Sequence, residues 1–224
     1  MKITIIHGQK HKGSTWNISK LLAQKLESDE NNIKDIYVND IPNCVGCFNC
    51  IMKGEEHCPH REFIEPIIKS IDESDVVIIE SPNYCFGVTG QLKSLLDHFA
   101  YRWMPHRPSE KMFSKIGVCI STTAGSGAGY VTKFLKKTMF FLGFGKTYRI
   151  SKAVGAMSWK DIKDKNKIKI EKTVSKTANK ISKKAGKIRP SLKSKFILKM
   201  MGFAQKGNTY NETDRKYWQE KGWI

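Results

Sequence analysis

An α/β fold built on a parallel sheet is the class this chain predicts, and three observations carry it. Five short β-rich runs alternate with five segments of helical periodicity. The central runs, such as Val76-Val77-Ile78-Ile79, are continuously apolar, as suits strands covered on both faces. The loops that follow the first, third and fourth runs are polar and rich in glycine.

The first strand is expected over Lys2–His7, an apolar run that meets a glycine turn after a few residues and so reads as a strand, not a signal peptide. Further strands are expected at Ile33–Val38, Asp75–Glu80, Lys115–Thr122 and Thr147–Val154. Helices are expected over Ser14–Glu27, Glu62–Glu73, Gln91–Trp103, Tyr130–Leu142 and Lys163–Lys187. In the last of these Ile170, Val174, Thr177, Ile181, Ala185 and Ile188 recur at steps of three and four, a narrow apolar stripe with lysines around it. Pro190 ends it. Residues 1–188 therefore read as one domain, and 189–224 as a basic, aromatic extension. It carries a short apolar segment, Phe196–Met201, and the aromatics Tyr217, Trp218 and Trp223, expected to pack on the domain or on a second subunit of a homodimer or higher oligomer.

At 224 residues the chain has room for one sizeable core. Its formal charge of +18 is uneven: residues 151–206 hold 17 Lys and Arg against 3 Asp and Glu, a net +14. Such a segment suits an acidic surface, whether a nucleic acid, an anionic membrane or an acidic redox partner, or simply a solvated helix face, and a basic nucleic-acid or membrane-binding protein is a third reading. A recognition-helix signature and interleaved stacking aromatics are missing from Lys160–Arg189, which argues against nucleic acid. No apolar stretch approaches the roughly 18 residues that cross a bilayer. A cytoplasmic location is expected, where clustered cysteines favour metal or redox roles over disulfides.

Four of the six cysteines, Cys44, Cys47, Cys50 and Cys58, fall within fifteen residues as C-x2-C-x2-C-x7-C. Three thiolates in one tight loop with a fourth returning nearby suit an iron-sulfur cluster or zinc; a redox disulfide and a metal-free packing loop turned by Gly46 stay open beside them. His57 is an alternative ligand. The first loop, His7-Gly8-Gln9-Lys10-His11-Lys12-Gly13-Ser14-Thr15, joins a strand to a helix N-terminus and suits a phosphate, although it is neither a G-x-G-x-x-G nor a Walker loop. With Ser81–Gly90 and Ser121–Gly129 it leaves the carboxyl edge of the sheet, where open α/β folds bind ligands.

Taken in order, the G-x-x-x-x-G-S-T loop, the C-x2-C-x2-C run, S-P-N-Y-C-F-G-V-T-G-Q-L-K-S-L-L-D-H and the last glycine-rich loop resemble the flavodoxin-like NAD(P)H-dependent FMN reductase and iron-sulfur flavoprotein superfamily over roughly residues 1 to 155. The resemblance implies a three-layer sandwich with strand order 2-1-3-4-5. It also implies an enzyme passing electrons from NAD(P)H through FMN to a small acceptor, or alternatively an electron carrier docking a redox protein. Carried over, Gln9, His11, Ser14 and Thr15 would hold the phosphate. Pro82, Asn83, Tyr84, Cys85 and Phe86 would line the flavin ring, and Thr123, Ala124, Gly125 and Gly127 would meet its edge. The four loop cysteines would hold a [4Fe-4S] cluster in the iron-sulfur members. Gly8-Gln9-Lys10-His11 departs from the family's usual G-S-P-R, so that Lys10, Lys12 and the helix terminus replace a serine and an arginine. No general acid or base is required.

Overall fold

The computed structural model describes residues 1–224. Five parallel strands, β1 (Ile3–His7), β2 (Ile33–Tyr37), β3 (Val76–Glu80), β4 (Ile116–Thr123) and β5 (Lys146–Ala153), form one sheet in the order β2-β1-β3-β4-β5. Alternate residues of β1, β3 and β4 face opposite layers, which is why their runs are apolar throughout. On one side Ile3, Ile5, Val76, Ile78, Val118 and Ile120 pack under α1 (Ser14–Leu26) and α6 (Asp164–Ser182). On the other, Ile6, Val77, Ile79 and Cys119 pack under α3 (Arg61–Glu73), α4 (Gly90–His98) and α5 (Ala128–Phe141). Cys119, wholly buried there, is a core residue whose thiol burial holds in its neutral form. No helix is long and apolar enough to cross a membrane.

Buried polar groups fix how α3 sits on the sheet. The Thr4 hydroxyl lies 2.7 Å from both the Ser70 and Ser74 hydroxyls. Arg102 grips Asp72 through two hydrogen bonds, and Lys115 donates to the carbonyls of Asp72 and Ser74 at the helix end.

Three elements differ from the sequence expectations. Helix α4 stops at His98, because Phe99 turns its buried ring into the core and a single 3-10 turn, Ala100–Arg102, follows. Helix α6 stops at Ser182, leaving Ala185 and Ile188 half-buried beyond its regular part. The extension holds two helices, α7 (Leu192–Lys206) and α8 (Glu212–Glu220), where only a short segment was expected; Ser191 and Asn211 cap them by accepting from the Ser194 and Asp214 amides. The aromatics of the extension pack on the body: Trp218 is 1% exposed, donates from Nε1 to the His106 carbonyl and meets Trp223 edge-on, while the Tyr217 hydroxyl donates to Pro108 O at 2.6 Å. Between β2 and α3 lies a 23-residue excursion whose one α-helix is the short α2 (Asn49–Met52).

Candidate functional site

The loops after β1, β3, β4 and β5 surround a cleft of about 480 Å³ at the carboxyl edge of the sheet. That volume lies within the usual range for small-molecule sites. From the first loop Gln9, His11, Gly13, Ser14 and Thr15 line it; from the second, Glu80, Pro82, Asn83 and Tyr84; from the third, Thr122, Thr123 and Ala124. Nine of the thirteen residues expected from the sequence thus line one cleft. Cys85, Phe86, Gly125 and Gly127 do not line the cleft but stand at its rim. Val154, Ala156 and Met157, after β5, line it too and were not anticipated. The signal for them was a glycine-bearing apolar stretch at the end of the last strand, whose backbone continues the sheet through Val154 N to Thr123 O and Gly155 N to Ala124 O.

Local chemistry explains why the loops converge. Gly8 N donates to Glu80 O at 2.9 Å, and a Cβ at Gly8 would sit 2.8 Å from that same oxygen, so the close approach of β1 and β3 needs glycine. Thr89 ties three segments: its hydroxyl donates to Gly8 O, accepts from Leu92 N as the cap of α4, and its amide donates to Ser81 Oγ. Thr15 Oγ1 meets Thr122 Oγ1 at 2.8 Å and joins α1 to β4. Tyr84 and Gly87 exchange two backbone hydrogen bonds around Cys85 and Phe86, both at positive φ (49° and 62°), the conformation of a tight hairpin turn. The turn holds the exposed Phe86 edge-on to Tyr130 at 5.6 Å and against Gly127, itself at φ 101°, where any Cβ would strike Asn83 and the Phe86 ring.

Beneath the cleft lies a charged cluster that sequence reading did not single out. His7, wholly buried, places Nδ1 3.0 Å from Glu80 Oε1 and Nε2 2.8 Å from Asp35 Oδ1, and its ring stacks on Tyr37 at 4.6 Å. Lys20 completes the row at Asp35 Oδ2. Burial alone would push the His7 value down, but the hydrogen bonds and charges of Asp35 and Glu80 outweigh it and leave it raised. Burial raises Glu80 against the pull of His7, and Glu80 Oε2 has no partner. Burial would also raise Asp35, but hydrogen bonds from His7 and Lys20 prevail and lower it.

The cysteine loop runs beside α4, whose first turn carries the second cleft loop. All six cysteines are free thiols. Gly46 at φ 65°, Phe48 at 57° and Gly54 at 121° turn the chain on itself. Arg107 donates to the carbonyls of Cys50 and Ile51, Asn211 to Ile51 O and Thr213 to Met52 O, while Asp214, 1% exposed, binds Arg107 and His106. The extension therefore braces the loop. Burial and the neighbouring thiols of Cys58, Cys44 and Cys47 push the Cys50 value up to about 11. Cys58 Sγ lies 3.9 Å from His98 Nδ1, and His98 Nε2 lies 3.0 Å from Pro42 O, so Nδ1 is left as an acceptor. His57 turns outward to Glu56. A single zinc ion at about 2.3 Å from each sulfur needs thiolates about 3.8 Å apart. No three His, Cys, Asp or Glu side chains converge closely enough to hold one ion.

A family model described as NADPH-dependent FMN reductase matches residues 1–154. An iron-sulfur flavoprotein from Archaeoglobus fulgidus is 30% identical over 226 residues, covering 93% of this chain and 94% of the relative. Another from Clostridioides difficile is 28% identical over the whole of both chains. Among solved structures, an azoreductase from Bacillus anthracis superposes with a TM-score of 0.60 at 13% identity, over 80% of this chain and 99% of that one, a likeness of fold.

Two outcomes are expected. Because the folded His7 value is raised, its stabilisation is fully present below the unfolded value of 6.5 and is lost as pH rises through the folded one. Urea unfolding should show stability falling by up to about 1.4 kcal/mol per pH unit in that window. Glu80→Gln removes one of the two carboxyl groups facing His7 and should lower the folded value at which that loss ends, read directly by NMR titration of the imidazole. Asp214→Ala leaves Arg107 buried without its carboxylate and should cost about 3–5 kcal/mol. The loop thiols should then react with a disulfide reagent at urea concentrations below global unfolding.

Proposed function

The chain belongs to the NADPH-dependent FMN reductase family and is an FMN-dependent NAD(P)H oxidoreductase; on that premise we propose that the cleft bounded by β1, β3 and β4 is where it holds FMN. The carrying observation is the meeting of a thirteen-residue helix N-terminus with three polar loops in one cleft whose walls keep buried polar atoms without partners, Asn83 Oδ1 and Glu80 Oε2. Bound FMN supplies the redox chemistry, taking reducing equivalents from NAD(P)H and releasing them to a small acceptor.

The chain's own residues bind and orient. Gln9, His11, Ser14 and Thr15 stand around the α1 N-terminus, whose free amides and partial positive charge favour a phosphate. Thr123 and Ala124 face Pro82, Asn83 and Tyr84 across the cleft, a slot for a flat ring. Cys85, Phe86, Gly125 and Gly127 form its rim. The exposed aromatics there, Tyr84, Phe86 and Tyr130, are a surface that a second copy would cover in a homodimer. Six free thiols suit a reducing cytoplasm.

A second reading concerns the braced loop. Cys44, Cys47, Cys50 and Cys58 would hold a [4Fe-4S] cluster, which supplies one-electron transfer beside the flavin. The support is four free thiols on one clamped loop, three of them near enough to raise the value of Cys50, and similarity to proteins named iron-sulfur flavoproteins. The excess of positive charge on the extension would then suit an acidic redox protein as well as a small acceptor.

Protein purified in this state should be yellow and release FMN on denaturation, with Ser14→Ala/Thr15→Val weakening FMN binding by roughly tenfold at unchanged helix content; colourless protein that ignores added FMN contradicts the assignment. Prepared without oxygen, the protein should carry about four iron per chain and a broad band near roughly 400 nm that Cys47→Ala abolishes while FMN stays bound. Flavin without iron after reconstitution would leave the cysteines as packing residues.

A further inference from the structure

Helix α7 presents an apolar ridge with nothing over it. Leu192, Phe196, Met200 and Phe203 are 86%, 66%, 45% and 82% exposed. At 3.6 residues per turn they fall within an arc of about 80° on one side of the helix. Ser194, Gly202 and Gln205 occupy the opposite side and are buried against the body. Lys193 stands on one margin of the ridge, and Lys195, Lys199 and Lys206 on the other. Beyond Lys195 and Lys199 a second apolar surface opens, a groove of about 540 Å³ on Phe113, Leu198, Trp218 and Trp223.

The charge on this stretch of chain is of one sign, and Glu110 is the one acidic residue lining the adjacent groove. From Lys172 to Asn211 the chain carries 11 Lys and Arg and no Asp or Glu. Two such faces would repel, which argues against a second copy of the chain as the occupant. A folded acidic partner would need a groove shaped to four long side chains standing on a convex helix. A fluid apolar layer under anionic headgroups needs no such match: the ridge enters the acyl boundary while the flanking lysines extend toward phosphates.

We propose that α7 docks the protein on an anionic lipid surface, with the ridge from Leu192 to Phe203 inserted and Lys193, Lys195, Lys199 and Lys206 at the headgroups. The docking is peripheral and reversible, since a helix of 15 residues with four lysines lies in the interface and does not span it. This proposal is independent of the flavin and cysteine assignments.

The test is co-sedimentation of the full-length protein with vesicles of phosphatidylcholine alone or with about 30 mol% phosphatidylglycerol. Wild type should sediment with the anionic vesicles, stay in solution with the neutral ones, and lose most of its binding at about 0.5 M salt. Phe196→Ser/Phe203→Ser and, separately, Lys193→Gln/Lys195→Gln/Lys199→Gln should each weaken binding by roughly tenfold or more. Flavin content should stay at the wild-type level in both, showing that the fold is intact. Equal binding to neutral vesicles, no binding to either, or vesicle binding that survives the serine substitutions overturns the proposal. So does a wild-type oligomer that the serine variant dissolves without vesicle binding, because the ridge is then an interface between copies; its mass is read by light scattering in the same buffers.

Discussion

Two strand ends meeting over a buried histidine is the constraint on which the cleft depends. His7 and Glu80 are paired residues of β1 and β3, and Asp35 comes from the neighbouring edge strand, so three strands are locked in register by one imidazole. A buried imidazole needs a hydrogen-bond partner on each nitrogen, and Glu80 and Asp35 supply them. That requirement forces β1 to hand over to its loop at Gly8, where the backbone passes too close to Glu80 for any side chain. The α1 N-terminus then lies beside the end of β4, where Thr15 Oγ1 meets Thr122 Oγ1.

The extension has a comparable role at a distance. Arg107, Asn211 and Thr213 reach the backbone of Cys50, Ile51 and Met52 from more than fifty positions away in the chain, and Asp214 holds Arg107 in place. A loop with three residues at positive φ and four free thiols has little to hold it by itself. Its order comes from α8, and α8 is anchored in turn by Trp218 and Tyr217 on the segment around His106 and Pro108. The reductase core and the tail are therefore coupled through the cysteine loop, and the tail is part of the machinery and not an appendage of spare charge.

The two halves of the extension divide its tasks. Helix α8 turns Asp214 and its tryptophan inward, while α7 keeps every lysine outward and leaves its largest apolar side chains in water. Exposing that much apolar surface opposes the burial that drives folding elsewhere in the chain. The flavin cleft, the braced thiols and the basic ridge thus form three surfaces on one fold, each made by a different part of the chain.

By itself the sequence determined the sheet, its four crossovers and the edge at which ligands bind. Those follow from local signals, apolar runs buried on both faces and helical periods capped by hydroxyls or ended by proline, which act within a few residues. The loops around the cleft were legible for the same reason, since Gly8, Asn83, Thr123 and their neighbours sit at strand ends. Met157 was less so, because nothing about an exposed methionine marks a cleft until β5 is laid beside β4. The His7 cluster, the clamp of Arg107 and Asp214 on the cysteine loop, and the free ridge of α7 were decided by tertiary structure alone. Each depends on which distant residues come to face one another, or fail to, and a lysine-rich helix reads the same in sequence whether its apolar stripe is covered or bare.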